Sequence, residues 1–142
     1  MAFRIAVPTE TDDPRVAATP ETVKKFAAIG GEVTVESGAG LASRIPDAEY
    51  AAAGATIAPD RAAAIAGADI VLSVRRPSAS GLAGAKAGAL AVAIMDPYGN
   101  EVALRDLAAT NVSAFAMELM PRITRAQVMD VLSSQANLAG YQ

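Results

Sequence analysis

Phe3-Arg-Ile-Ala-Val7, Thr19-Pro-Glu-Thr-Val-Lys-Lys25 and Glu32-Val-Thr-Val-Glu36 decide the fold. The first is a short apolar run that ends at Pro8, which reads as a strand. The second opens a helix: Thr19 suits the N-cap, Pro20 the first helical position and Glu21 the positive end of the peptide dipoles. Gly30-Gly31 stops that helix. The third alternates with period two, so it reads as another strand. Strand, helix and strand in that order predict a parallel pair with a helical crossover.

The alternation continues outward from there. Asp47 to Ala53 reads as a short helix closed by Gly54, and Ala55-Thr-Ile57 as a brief strand. Asp60 can cap a helix over Arg61 to Ala66. Asp69-Ile-Val-Leu-Ser-Val74 and Leu90 to Met95 are buried-type strands, separated by a Gly-, Ala- and Ser-rich loop from Ser78 to Gly88. Asn100 can cap a helix from Glu101 to Ala109, Val112 to Ala116 is a further strand, and a last helix is predicted from about Arg125 to Leu138. The predicted class is α/β: one domain with a parallel sheet flanked by helices, flavodoxin-like or Rossmann-like.

Composition excludes several functions. The 142 residues are 52% hydrophobic and 4% aromatic, contain no Trp and carry a net charge of −3. A nucleic-acid surface would show basic clusters and stacking aromatics. The longest apolar stretches, such as Ala89 to Met95, fall far short of the roughly 20 residues of a membrane span. Met1-Ala-Phe-Arg-Ile5 lacks a signal-peptide pattern, so a cytosolic chain is expected. Cys and His are both absent. That removes Ser-His and Cys-His nucleophiles, leaves only oxygen ligands for any metal, so no metal site is expected, and leaves general acid–base work to carboxylates, Lys, Tyr or a second domain. Ser37-Gly38-Ala39-Gly40 and Gly81 to Gly88 lack the spacing of a phosphate-binding fingerprint and read as turns.

The chemistry signal lies near the end. On a helix at about 100° per residue, Gln127, Asp130, Ser133, Ser134 and Asn137 fall on one arc, with Thr124 and Gln127 in capping-box spacing. Val128, Met129, Val131, Leu132, Ala136 and Leu138 take the other side, and Gln135 projects into this apolar arc. Such a face is either solvated or a ligand wall. Its short amide, hydroxyl and carboxylate groups lose little entropy on ordering and offer both donors and acceptors, as a carboxamide ligand requires.

Met117-Glu-Leu-Met-Pro-Arg-Ile-Thr-Arg-Ala-Gln127, continuing through Met129-Asp-Val-Leu-Ser-Ser-Gln-Ala-Asn-Leu-Ala-Gly-Tyr141, resembles the NAD-side (alpha) subunit of the proton-translocating NAD(P) transhydrogenases. Ile5-Ala-Val-Pro-Thr-Glu10, Arg15-Val-Ala17, Gly38-Ala-Gly40, Ala52 to Ile57 and Val74-Arg-Arg-Pro77 agree with it. The resemblance implies an N-terminal domain over 1–142 of the alanine dehydrogenase/transhydrogenase type, followed after residue 142 by an NAD-binding Rossmann domain. It further implies hydride transfer between NAD(H) and NADP(H) coupled to proton translocation, with no substrate acid or base. The implied partners are a second copy of the subunit and the NADP-binding and membrane subunits, placing the domain at the cytoplasmic side of the inner membrane with no insertion of its own. The family residues near the NADH nicotinamide map onto Arg122, Gln127, Asp130 and Ser133, with Arg122 and Asp130 expected to pair. Glu118 is expected to orient Arg122 or Arg125, and Tyr141 to pack at the hinge to the next domain.

Two other readings stay open: a non-catalytic dimerisation or interaction domain, and a fragment of an NAD-dependent amino-acid dehydrogenase. In the related alanine dehydrogenase an Arg, a Lys and a His handle the substrate. Arg15 matches the first, Arg75 stands at the second, and Asp96 lies near the third. A guanidinium cannot shed a proton as a Lys can, which disfavours that reading. Asp96-Pro-Tyr-Gly-Asn100 departs from the His-containing loop common in the family.

Overall fold

The computed structural model describes residues 2–140, so Tyr141 lies outside the described residues. Six strands form one all-parallel sheet: β1 (Phe3–Val7), β2 (Gly31–Glu36), β3 (Thr56–Ala58), β4 (Ile70–Arg75), β5 (Leu90–Ile94) and β6 (Ser113–Ala116). Their spatial order is β3-β2-β1-β4-β5-β6. Of the two doubly wound strand orders, this is the Rossmann one, and it reverses direction between β1 and β4. The helices are α1 (Pro20–Ala28), α2 (Asp47–Ala52), α3 (Arg61–Ile65), α4 (Glu101–Ala108) and α5 (Val131–Gly140).

A parallel sheet has to be covered on both faces, and β1 shows that it is. Ile5 and Val7 face a cluster with Val23, Val33, Val35 and Tyr50. Ala6, between them, faces a second cluster with Ile65, Val71, Ala91, Met95 and Leu107. Side chains alternate across a strand, so the two clusters are the two sides of one sheet. Leu82, in a 3₁₀ turn within the predicted Ser78–Gly88 loop, is buried against the second.

Caps confirm most of the predicted starts. Thr19 accepts from the Thr22 amide, and Asp60 accepts from the Ala63 amide at 2.8 Å. Asn100 stands at the start of α4 but makes no cap bond; its amide donates to the Asp96 carbonyl at 2.9 Å. Ser37 to Gly40 is a turn. Gly38 has φ +84°, and a Cβ on Gly40 would sit 2.6 Å from the Ile45 carbonyl and 2.7 Å from the Tyr50 ring.

The single helix predicted over Arg125 to Leu138 does not form. Thr124–Met129 is 3₁₀, Asp130 is extended (φ −77°, ψ 95°), and α5 begins at Val131. Asp130 is the cause. Its carboxylate accepts from the amides of Leu132 and Ser133, both at 3.1 Å, and from the Ser133 hydroxyl at 2.6 Å. An Asp that caps the following turn cannot also continue the preceding helix. The capping box at Thr124 is likewise absent: residue Ile123 precedes the 3₁₀ segment and no side chain caps it.

Tyr50 is fully buried and donates its hydroxyl to the Ala18 carbonyl at 2.8 Å, tying α2 to the segment that enters α1. Burial and the nearby Asp47 and Glu49 carboxylates push its phenol pKa up, which keeps it a donor. Tyr50→Phe leaves that carbonyl buried without a partner and lowers stability by about 1–3 kcal/mol, read as a lower urea midpoint at unchanged slope; an unchanged midpoint contradicts the assignment.

Candidate site at the carboxyl ends of the strands

In open α/β sheets ligands bind outside the carboxyl ends of the strands, at the point where strand order reverses. Here that point is the rim between β1 and β4, and the loop after β1 is fastened to it by side chains. Glu36 accepts from the Thr9 amide at 2.7 Å, and Arg61 donates to the Thr9 carbonyl. β1 pairs with β4 only as far as Val71, so the later amides of β4 lie past the end of that ladder. Glu10 takes two of them, Val74 N at 2.6 Å and Arg75 N at 3.2 Å. The Ser43 hydroxyl holds the Pro14 carbonyl at 2.7 Å.

At the end of this loop sits a charged cluster that the sequence does not announce. The Asp13 side chain is only 4% exposed. Its Oδ1 accepts from Arg15 Nε at 2.8 Å and from the Arg15 amide at 3.0 Å. Its Oδ2 accepts from Arg15 Nη2 at 2.7 Å and from Arg75 Nε at 3.1 Å. The remaining nitrogen of Arg15, Nη1, reaches Gln135 Oε1 on α5 at 3.4 Å. Arg15 thus spends one edge on Asp13 and turns the other toward α5. Only a local signal was available for Asp13: Asp-Pro commonly starts a turn, and its bond to the Arg15 amide is that turn.

The four residues singled out by sequence come together, though not as one helix face. Arg122, Gln127, Asp130 and Ser133 line a single open depression of about 650 Å³. The 3₁₀ segment delivers Gln127, and the start of α5 delivers Ser133. Asp130 faces a second, more apolar cleft of about 400 Å³ as well, walled by Arg15, Leu72, Val92, Ile94, Met117 and Gln135 among others. Arg122 and Asp130 form no ion pair among the described residues, contrary to expectation. The Asp130 carboxyl is held low first by the Ser133 hydroxyl and amide, with the Arg122 charge a smaller contributor.

Glu118 does not orient an arginine either. Its carboxylate accepts from the amides of Met95 and Asp96 at 2.8–3.0 Å. Arg76 grips the carbonyls of the same two residues from the other side. Together they hold a turn in which Asp96 has φ 46°, the left-handed region. No helix among the described residues is long and apolar enough to cross a membrane.

The Asp13 carboxyl lies well below the usual carboxylate range, chiefly through its hydrogen bonds to Arg15, with burial opposing and Arg75 assisting. A folded-state pKa below the unfolded value of about 3.9 adds stability that is complete above that pH and fades as the pH falls through the folded pKa. Asp13→Asn should therefore cost about 2 kcal/mol at pH 7, and the gap to wild type should close between about pH 4 and the lowest pH at which the chain folds. Urea melts across this range check it; a gap that does not depend on pH contradicts the ion pair.

The family described as alanine dehydrogenase/PNT, N-terminal domain, matches residues 6–139. The chain is 45% identical over 147 residues to an NAD(P) transhydrogenase subunit alpha chain of Rhodospirillum rubrum, covering 99% of this chain and 38% of that protein. It superposes on the crystal structure of transhydrogenase from Sinorhizobium meliloti with a TM-score of 0.91 and 55% identity, over 97% of this chain and 42% of that one. An L-alanine dehydrogenase structure shares the fold, with a TM-score of 0.75 at 24% identity over 82% of this chain and 32% of that one. The chain spans about two fifths of the length of these two transhydrogenase proteins. It belongs to the alanine dehydrogenase/PNT N-terminal domain family.

Proposed function

We propose that this chain is the N-terminal portion of the NAD(H)-binding subunit of a proton-translocating transhydrogenase, and that Arg122, Gln127, Asp130 and Ser133 form one wall of its nicotinamide pocket. The observation that carries the reading is their convergence on one depression lined by residues between Pro121 and Ser133. The intact enzyme would pass hydride between NAD(H) and NADP(H), with NADP on a partner subunit and proton translocation in a membrane subunit. The NAD-binding Rossmann domain would follow residue 142, and the subunit would work as a homodimer on the cytoplasmic side of the inner membrane. Exposed apolar side chains along the last segment, Val128 at 94% and Leu138 at 64%, support burial against further protein.

The donor set fits a nicotinamide. Gln127 makes no side-chain hydrogen bond among the described residues and can both donate to and accept from a carboxamide. Ser133 gives its proton to Asp130 and so meets a ligand as an acceptor. Arg122 brings fixed positive charge near Asp130. When bound, the nicotinamide supplies the hydride. This chain's residues orient the ring and transfer no proton, which accords with a chain that has no His. The amino-acid dehydrogenase alternative is opposed by the same absence and by the engagement of both Arg15 and Arg75 with Asp13.

In the full-length enzyme, Gln127→Ala and Asp130→Ala should slow single-turnover hydride transfer on the order of a hundredfold, because a misplacement of about 1 Å costs that much. NADH affinity should change far less. Asp130→Asn, which can still cap α5, separates loss of the cap from loss of the carboxylate: it should also be slow. Wild-type rates in Gln127→Ala and Asp130→Ala would leave the polar face as solvated surface.

A further inference from the structure

Packing does little to hold the segment that carries Arg122 and Gln127. From Pro121 to Asp130 only Ala126 is buried, and its side chain is a single methyl. A stretch with so few buried apolar contacts is locally loose unless polar groups fix it. Such groups hold its two ends. At the far end the Asp130 carboxylate caps α5. At the near end Glu118 fastens the chain to the sheet. Its Oε1 accepts from the Asp96 amide at 2.8 Å and from the Met95 amide at 3.0 Å, and its Oε2 accepts from the Met95 amide at 3.0 Å. Met95 directly follows β5, so the Met117–Leu119 turn hangs from the end of that strand.

The tether from Glu118 to Arg122 is short and stiff. The Met120 amide donates back to the Met117 carbonyl at 3.2 Å. Pro121 fixes its own φ. The Ile123 amide then donates to the Pro121 carbonyl at 3.0 Å, closing a three-residue turn with Arg122 at its apex. Arg122 makes no side-chain hydrogen bond or ion pair among the described residues, so its backbone decides where the guanidinium enters the depression it shares with Gln127, Asp130 and Ser133. We propose that Glu118 is a positioning residue: by tying the Met117–Leu119 turn to the amides at the end of β5, its carboxylate sets where Arg122 stands in the nicotinamide wall. The inference rests on the reading of Arg122 as part of that wall. A carboxylate suits the task because it only accepts. In Glu118→Gln an amide nitrogen takes the place of one oxygen, and if it replaces Oε2 it meets the Met95 N–H at 3.0 Å, donor against donor.

In the full-length enzyme Glu118→Gln should slow single-turnover hydride transfer about tenfold, short of the hundredfold that a displacement of about 1 Å costs, with NADH affinity nearly unchanged. Arg122→Ala should be slow as well. Because Glu118 acts through Arg122, the double variant should be no slower than Arg122→Ala alone, whereas independent residues would multiply their losses. Nitrogen relaxation in the same subunit reads the position without reference to rate. In Glu118→Gln the Arg122 and Ile123 amides should fall from an order parameter of about 0.85 toward about 0.6, while the Leu132 and Ser133 amides, held by Asp130, keep their wild-type values. Multiplied losses in the double variant, or an Arg122 amide as rigid in Glu118→Gln as in wild type, would overturn the proposal. A wild-type rate in Arg122→Ala would overturn the wall reading and this role of Glu118 with it; relaxation then shows whether the anchor or the wall failed. Should Glu118→Gln not fold, Glu118→Asp carries both measurements, since it keeps the charge and shortens the reach by one methylene.

Discussion

Everything at the rim depends on β1 being buried on both faces. Ile5, Ala6 and Val7 are at most 2% exposed, and the strand pairs with β2 on one side and β4 on the other. A strand held this way has no freedom of register, because a slip of one residue would exchange its two faces. The loop that leaves it is therefore delivered to one place. Parallel pairing then requires every other strand to end at the same rim, so Arg75, Met95 and Met117 arrive there from three different strands. The site is a consequence of parallelism before it is a consequence of any side chain.

At that rim carboxylates act as fasteners. Glu36, Glu10, Asp13 and Glu118 each accept from backbone amides or guanidiniums that strand ends and loop turns would otherwise leave unpaired. Each such contact fixes a turn without requiring regular structure. A chain with few aromatics can in this way hold a defined loop surface over a core of small apolar residues. Rigidity at the rim is what a site that only orients its ligand requires, since misplacement, not chemistry at a side chain, would limit its rate.

The strands and most helix starts were legible because their signals are local: period two in Glu32 to Glu36, Thr19 and Asp60 as caps, glycines as stops. The last helix misled because a period of 3.6 tolerates a break at a residue that suits either reading. Asp130 followed three residues later by Ser133 is itself an N-cap signal, and it prevailed over continuation. Arg122, Gln127, Asp130 and Ser133 were singled out through periodicity and the resemblance together, and they line one depression across a 3₁₀ turn and a cap rather than one helix face. The partners of Asp13 and Glu118 were not legible, since Arg75 lies 62 residues and the Met95 amide 23 residues away in sequence. Contacts of that separation leave no period or motif in the chain.

On the proposed reading the wall touches the nicotinamide end of the dinucleotide and no other portion of it. NMR of the Gln127 side-chain amide in the full-length subunit tests it most directly, with NADH and ADP-ribose titrated separately. ADP-ribose carries the adenosine, pyrophosphate and ribose but no nicotinamide. NADH should shift the Gln127 amide resonances, and saturating ADP-ribose should leave them in place. Equal shifts with both ligands, or none with NADH, would contradict it.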